Sequence, residues 1–117
     1  MTEKCLWGEY RVLDHSVHEG GNESLTKQLI VGCGKQLSCH YHLDWTESWT
    51  VTAGEGTVVL DGKVQKVKAG DAVLIRPGMK HLIRADTTLH VIEVQTGKLL
   101  SEEDMIRVNS SFEGVDG

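Results

Sequence analysis

Strand-like runs of mixed apolar and polar residues recur along this chain, each closed by a turn signal. Residues 9–13 (EYRVL) and 25–31 (LTKQLIV) are the first two. The polar stretch between them, 14–24, holds Gly20-Gly21-Asn22 and reads as a loop. A third run leads through His40 and His42, and a fourth covers 46–53 (TESWTVTA). Residues 57–60 (TVVL) and 63–68 (KVQKVK) flank Asp61-Gly62, the strongest short-range hairpin signal a sequence carries. Ala69-Gly70-Asp71 marks another turn, and 72–76, 81–85 and 89–95 supply the remaining strands. In the last of these, Val91, Glu93 and Gln95 share one face, while His90, Ile92 and Val94 share the other. Ser101, followed by Glu102, Glu103 and Asp104, predicts an N-cap opening a short helical turn, and 109–117 a polar, frayed tail. About ten strands with little helix predict an all-β domain.

The length of 117 residues suits one domain around one core. Thirteen glycines against a single proline imply turns closed by glycine. A net charge of -5 without any basic cluster argues against nucleic acid and anionic membranes as partners of the surface at large. The first residues lack an apolar signal core and no run approaches membrane-spanning length, so the expected compartment is the cytoplasm. Cys5, Cys33 and Cys39 are odd in number and lack C-x-x-C spacing, which predicts buried, inert thiols rather than a disulfide framework. Cys39 has the opposite strand parity to His40, so it is expected to point away from any site there. Residues 1–13 have little of their own to bury. They are expected to form an edge strand pairing with a second copy in a homodimer.

Candidate chemistry concentrates in residues 34–54, GKQLSCHYHLDWTESWTVTAG. His40 and His42 are two apart, so in an extended strand they share one face. A tight link at Leu43-Asp44-Trp45 would bring Glu47 alongside them, with Trp45 exposed or at an edge. Two imidazoles and a carboxylate on one face make a divalent-metal site lacking one donor. His81, beyond the Pro77-Gly78 turn, offers the fourth. By parity, Gln36 and Ser38 join the histidines' face, Trp49 joins that of Glu47, and Ile83 that of His81. A metal at one end, an indole wall and a few hydrogen-bonding groups suit a sugar, whose C–H faces stack on indole while its hydroxyls seek amides and cations. Plain core packing is the other reading of Trp49.

The stretch 34–54 fits the cupin pattern G-x5-H-x-H-x4-E-x6-G residue for residue, and 70–81 resembles the second cupin signature, ending in P-x-G-x2-H. Arg76 stands where that signature usually has proline, and Ala85 where it commonly has asparagine. The resemblance implies a single-domain cupin over 1–117, a double-stranded β-helix or jelly-roll barrel. It further implies His40, His42, Glu47 and His81 around one divalent metal: zinc first, with manganese, iron or nickel as alternatives.

Residues 6–14 (LWGEYRVLD) and 89–108 (LHVIEVQTGKLLSEEDMIRV) are similar to the opening and closing of a further family. This is the cupin domain of bacterial bifunctional mannose-6-phosphate isomerases, which pair it with a mannose-1-phosphate guanylyltransferase domain absent here. The resemblance implies exchange between mannose 6-phosphate and fructose 6-phosphate. That family typically has glutamine at the position of His40. Two histidines and an arginine common in it fall on Leu43, Asp44 and Trp45, and Arg76, Lys80 or Arg84 are replacements for the arginine from the rim. No residue stands out as the catalytic base. The competing classes are a metal cupin that holds a sugar or small acid without turnover, and a small metal-dependent oxygenase.

Overall fold

The computed structural model describes residues 2–37, 39–42, 45–98 and 105–109, with the backbone alone for residue 3, 39–42 and 105–109. Eleven strands form two sheets. They are β1 (Thr2–Cys5), β2 (Gly8–Val17), β3 (Glu23–Val31), β4 (Cys39–His42), β5 (Trp45–Ala53), β6 (Glu55–Leu60), β7 (Lys63–Lys68), β8 (Ala72–Ile75), β9 (His81–Ala85), β10 (Leu89–Gly97) and β11 (Met105–Asn109). One sheet has the order β1-β2-β3-β10-β5-β8 and the other β11-β4-β9-β6-β7, with antiparallel neighbours throughout. No helix among the described residues is long and apolar enough to cross a membrane. The helical turn expected at 101–104, and residues 110–117 of the expected tail, lie outside the described residues.

Alternation sets the inward faces. Trp45, Glu47, Trp49 and Val51 of β5 are buried, as are Leu89, Val91, Glu93 and Gln95 of β10. Trp49, Val51, Leu89 and Val91 meet Val58, Val67, Ile83 and Ala85 of the facing sheet in one core, as two inward faces of a sandwich should. Asp61-Gly62 closes the β6–β7 hairpin with φ of 48° and 83°, the two positive values a type I′ turn requires. Gly54, at φ 89°, is a different case: a Cβ there would collide with the carbonyl oxygen of Thr88. That close approach joins the end of β5 to the start of β10.

The N-terminal third departs from expectation. The stretch 14–24 is not one loop, because β2 continues to Val17 and β3 begins at Glu23, leaving only 18–22 as the turn. No residue of β2 is fully buried, so a strand lies there without the apolar alternation that advertises one. Residues 1–13 contain two strands, with β1 paired onto β2. They also bury something of their own: Trp7 and Tyr10 stack at 6.3 Å and pack against the core. Cys5 and Cys33 are free but exposed, not buried, because each sits at a strand end or turn on the rim. The side chain of Cys39 lies outside the described residues.

Candidate functional site

Glu47 and His81 meet across the sandwich. Glu47 comes from β5, between Ile75 of β8 and Gln95 of β10, while His81 opens β9 in the other sheet. Their side chains are 2% and 0% exposed as residues, and His81 Nε2 lies 3.9 Å from Glu47 Oε2. The Nδ1 of His81 is 2.9 Å from the carbonyl oxygen of Met79, which can only accept. Nδ1 therefore carries a proton, and in the neutral ring the Nε2 lone pair is the one left for a cation. The Pro77-Gly78 turn places Met79 for this bond, so a backbone turn selects the tautomer.

The backbone of β4 sets His40 directly opposite His81, with His42 two residues further along and facing Met105 of β11. The histidine side chains lie outside the described residues, as does Ser38. Gln36 is half-buried, and its backbone bridges to Arg84 of β9 rather than to His81.

Trp49 is 1% exposed, and its ring meets His81 edge-on at 5.5 Å between centroids. Its indole N–H donates to Glu93 Oε1 at 2.8 Å. It is core, and it is also a wall of the site. Trp45, expected at an exposed edge, is instead buried at 5%, with its N–H donating to Glu47 Oε2 at 3.1 Å. The cause is parity. Trp45 is the first residue of β5 and shares the inward face of Glu47 and Trp49.

Glu93 joins the site without having been assigned to it from sequence. It sits opposite Trp49 on β10, accepts from the Gln95 amide at 2.9 Å, and lies close enough to Glu47 to feel its charge. Burial pushes its carboxyl up from an ordinary 4.5 to about 8, and the Glu47 charge pushes the same way. Glu93 is thus the proton-carrying partner of the pair. Its grouping with Val91 and Gln95 was legible; that this face turns toward Glu47 was not, because strand order is not written in parity.

The sign of the pH dependence follows. Between 4.5 and about 8 the metal-free native state binds more protons at Glu93 than the unfolded chain does, so its stability is greatest below that window and falls as pH rises through it. Urea unfolding of the metal-free protein from pH 5 to 8 should show a falling midpoint, and Glu93→Gln should flatten it. An unchanged slope in that variant would reassign the effect.

Of the four expected donors, the two whose side chains are described, Glu47 and His81, are compatible with one divalent cation; among the described residues no third donor joins them. Donors that each lie about 2.0–2.2 Å from one ion can be no more than about 4.4 Å apart, and Glu47 Oε2 and His81 Nε2 satisfy that limit. A buried carboxylate beside a second buried carboxyl is also an environment that a positive charge stabilises.

The paired antiparallel sheets have the fold of a cupin-type jelly roll. The fold is shared by the Staphylococcus aureus capsular polysaccharide assembling protein CapF, at 16% identity and a TM-score of 0.72 over 93% of this chain and 34% of that one. A salicylate 1,2-dioxygenase from Pseudoaminobacter salicylatoxidans matches 62% of this chain and 19% of its own, at 18% identity and a TM-score of 0.59. Residues 3–110 match the family described as mannose-6-phosphate isomerase, C-terminal, and the chain belongs to it. Among its relatives is a mannose-1-phosphate guanylyltransferase of Escherichia coli strain K12, 30% identical over 103 residues. That match covers 86% of this chain but only 20% of the relative, so this chain spans about a fifth of the length of such curated relatives.

Proposed function

We propose that this chain is a metal-dependent sugar-phosphate isomerase of the mannose-6-phosphate type, exchanging mannose 6-phosphate and fructose 6-phosphate. The observation that carries the reading is the buried Glu47–His81–Glu93 cluster, inside a domain of the mannose-6-phosphate isomerase C-terminal family. His40, His42, Glu47 and His81 would hold the cation, zinc before manganese, iron or nickel. When bound, the cation supplies positive charge where negative charge develops on the C1 and C2 oxygens of the sugar.

The protein residues do the rest. Trp45 and Trp49 keep water from the pair of carboxyls, and Trp49 and Gln95 fix the orientation of Glu93 by two hydrogen bonds. We assign Glu93 to the proton transfer, since Glu47 is committed to the cation: with a cation's charge nearby favouring its ionised form, the Glu93 carboxylate would take the proton from C2 and return it to C1, and the reverse in the other direction. Trp49, with 1% exposure, acts here as a wall and offers little face for stacking. Gln36 and Ser38 stand as substrate contacts within the same proposal.

The test is metal analysis of the purified protein together with a coupled assay on mannose 6-phosphate. Turnover abolished by chelation and restored by one divalent metal is the expected result. Tight binding of the sugar phosphate without turnover would identify a binding module, and oxygen uptake with iron would identify an oxygenase; either outcome overturns the isomerase. We also assign β1, an edge strand of its sheet, to pairing with a second copy in the cytoplasm. A solution mass of twice the 12.9 kDa chain checks that pairing.

A further inference from the structure

One rung of the larger sheet runs Val12, Lys27, Glu93, Trp49, Val73 across β2, β3, β10, β5 and β8. Residues directly opposed in antiparallel strands share a face. Glu93, Trp49 and Val73 are buried on the inner face, so Lys27 starts from that face too. The rung is covered at one end and open at the other: Lys27 is half-buried and Val12 is 46% exposed. The polar interior around Glu93 therefore opens along β2 and β3, with a lysine at the opening.

The ammonium of Lys27 sits 4.9 Å from the centroid of the Tyr10 ring, and Tyr10 is itself braced by Trp7. That contact holds the charge in place without neutralising it. Among the described residues, no carboxylate lies within ion-pair distance of it, although its field reaches the Glu93 carboxyl. The rim cations Arg84, Arg76 and Lys80 differ in pairing or in place. Arg84 faces Asp86 at 3.4 Å, and Arg76 and Lys80 are exposed on the link between β8 and β9.

We propose that Lys27 anchors the anionic end of the substrate, a phosphate monoester, at the open side of the Glu47–Glu93 site. The assignment rests on the sugar-phosphate reading above and names the group that recognises the phosphate. A lysine ammonium is a compact point charge with three donors, suited to a phosphate that carries several acceptor oxygens. The spacing is also right. β3 and β5 are separated by β10 alone, and Glu47 lies two residues along β5 from the Lys27 rung, so roughly 12 Å divides the backbone at Lys27 from that at Glu47. That span matches the length of a six-carbon sugar phosphate whose C1 and C2 lie toward Glu47 and Glu93 and whose phosphate lies toward Lys27.

The experiment is calorimetric titration of the full-length protein, as purified with its metal, with mannose 6-phosphate, unphosphorylated mannose and inorganic phosphate. Lys27→Met should weaken mannose 6-phosphate binding by about tenfold to a hundredfold, abolish the competition by inorganic phosphate, and leave mannose unaffected. Lys27→Arg should retain most of the preference for the phosphorylated sugar. Lys27→Gln repeats the test should the methionine variant fail to fold. Equal affinity of variant and parent for mannose 6-phosphate would overturn the anchor while leaving the isomerase reading intact. Equal loss for phosphorylated and plain sugar, together with lowered stability, would overturn it in favour of a counter-ion for Glu93. If the parent protein binds neither sugar but binds inorganic phosphate in a Lys27-dependent way, the anchor stands and the sugar reading fails.

Discussion

Glu47→Gln is expected to lower affinity for a divalent metal by at least two orders of magnitude, while leaving the metal-free protein as stable as before or more so. The two effects have opposite signs for one reason. In the metal-free chain Glu47 is a buried carboxylate with no cation beside it, and its charge forces the neighbouring Glu93 to stay protonated, so the charge itself is unfavourable. Glutamine keeps the shape, can still accept from the Trp45 indole at the position of Oε2, and removes the charge. With a cation present the same charge becomes the main attraction. Losing a residue that only orients a ligand costs about 10–100-fold in metal affinity, and a ligand should cost more. Equilibrium dialysis against a metal buffer measures the first effect and urea unfolding of the stripped protein the second. Unaltered metal affinity would remove Glu47 from the donor set.

Trp49→Ala should be the most destabilising single change in the core, at about 3–5 kcal/mol. That is a large part of the roughly 5–15 kcal/mol that holds a domain of this size together. Three losses coincide. The indole is 1% exposed, so its truncation leaves a cavity between the sheets. Its N–H is the donor to Glu93, and its ring braces His81. Trp49→Phe should retain most of the packing and lose only the hydrogen bond, for about 1–3 kcal/mol from the Glu93 oxygen left behind. Denaturant midpoints of the two variants separate the contributions. Equal losses would mean that the hydrogen bond, not the volume, is what matters.

How much of this was visible in the sequence depends on whether the signal was local. The turn at Asp61-Gly62 and the alternation of β5 and β10 are local, and each emerged where expected. Trp45 was also within reach, since the parity that turns Glu47 and Trp49 inward turns Trp45 inward with them. It was assigned instead to a link, because strand ends are the least constrained part of such a pattern. The extent of β2 could not be seen, as a strand with no fully buried residue carries no apolar period. Glu93 and Lys27 were beyond reach for another reason. Their roles depend on β10 lying between β3 and β5, a neighbour relation made by the closing of the barrel and by no motif in the chain.

The position of β10 has a consequence for how the molecule comes into being. It is the tenth of eleven strands in order along the chain, yet it lies in the middle of the larger sheet. A nascent polypeptide that ends before residue 89 has β3 and β5 with nothing between them, and half of each strand's backbone groups lack the ladder that will satisfy them. Assembly therefore waits for distant segments to find each other, the slow regime of folding, and a ribosome-bound fragment lacking β10 should remain protease-sensitive until that strand inserts.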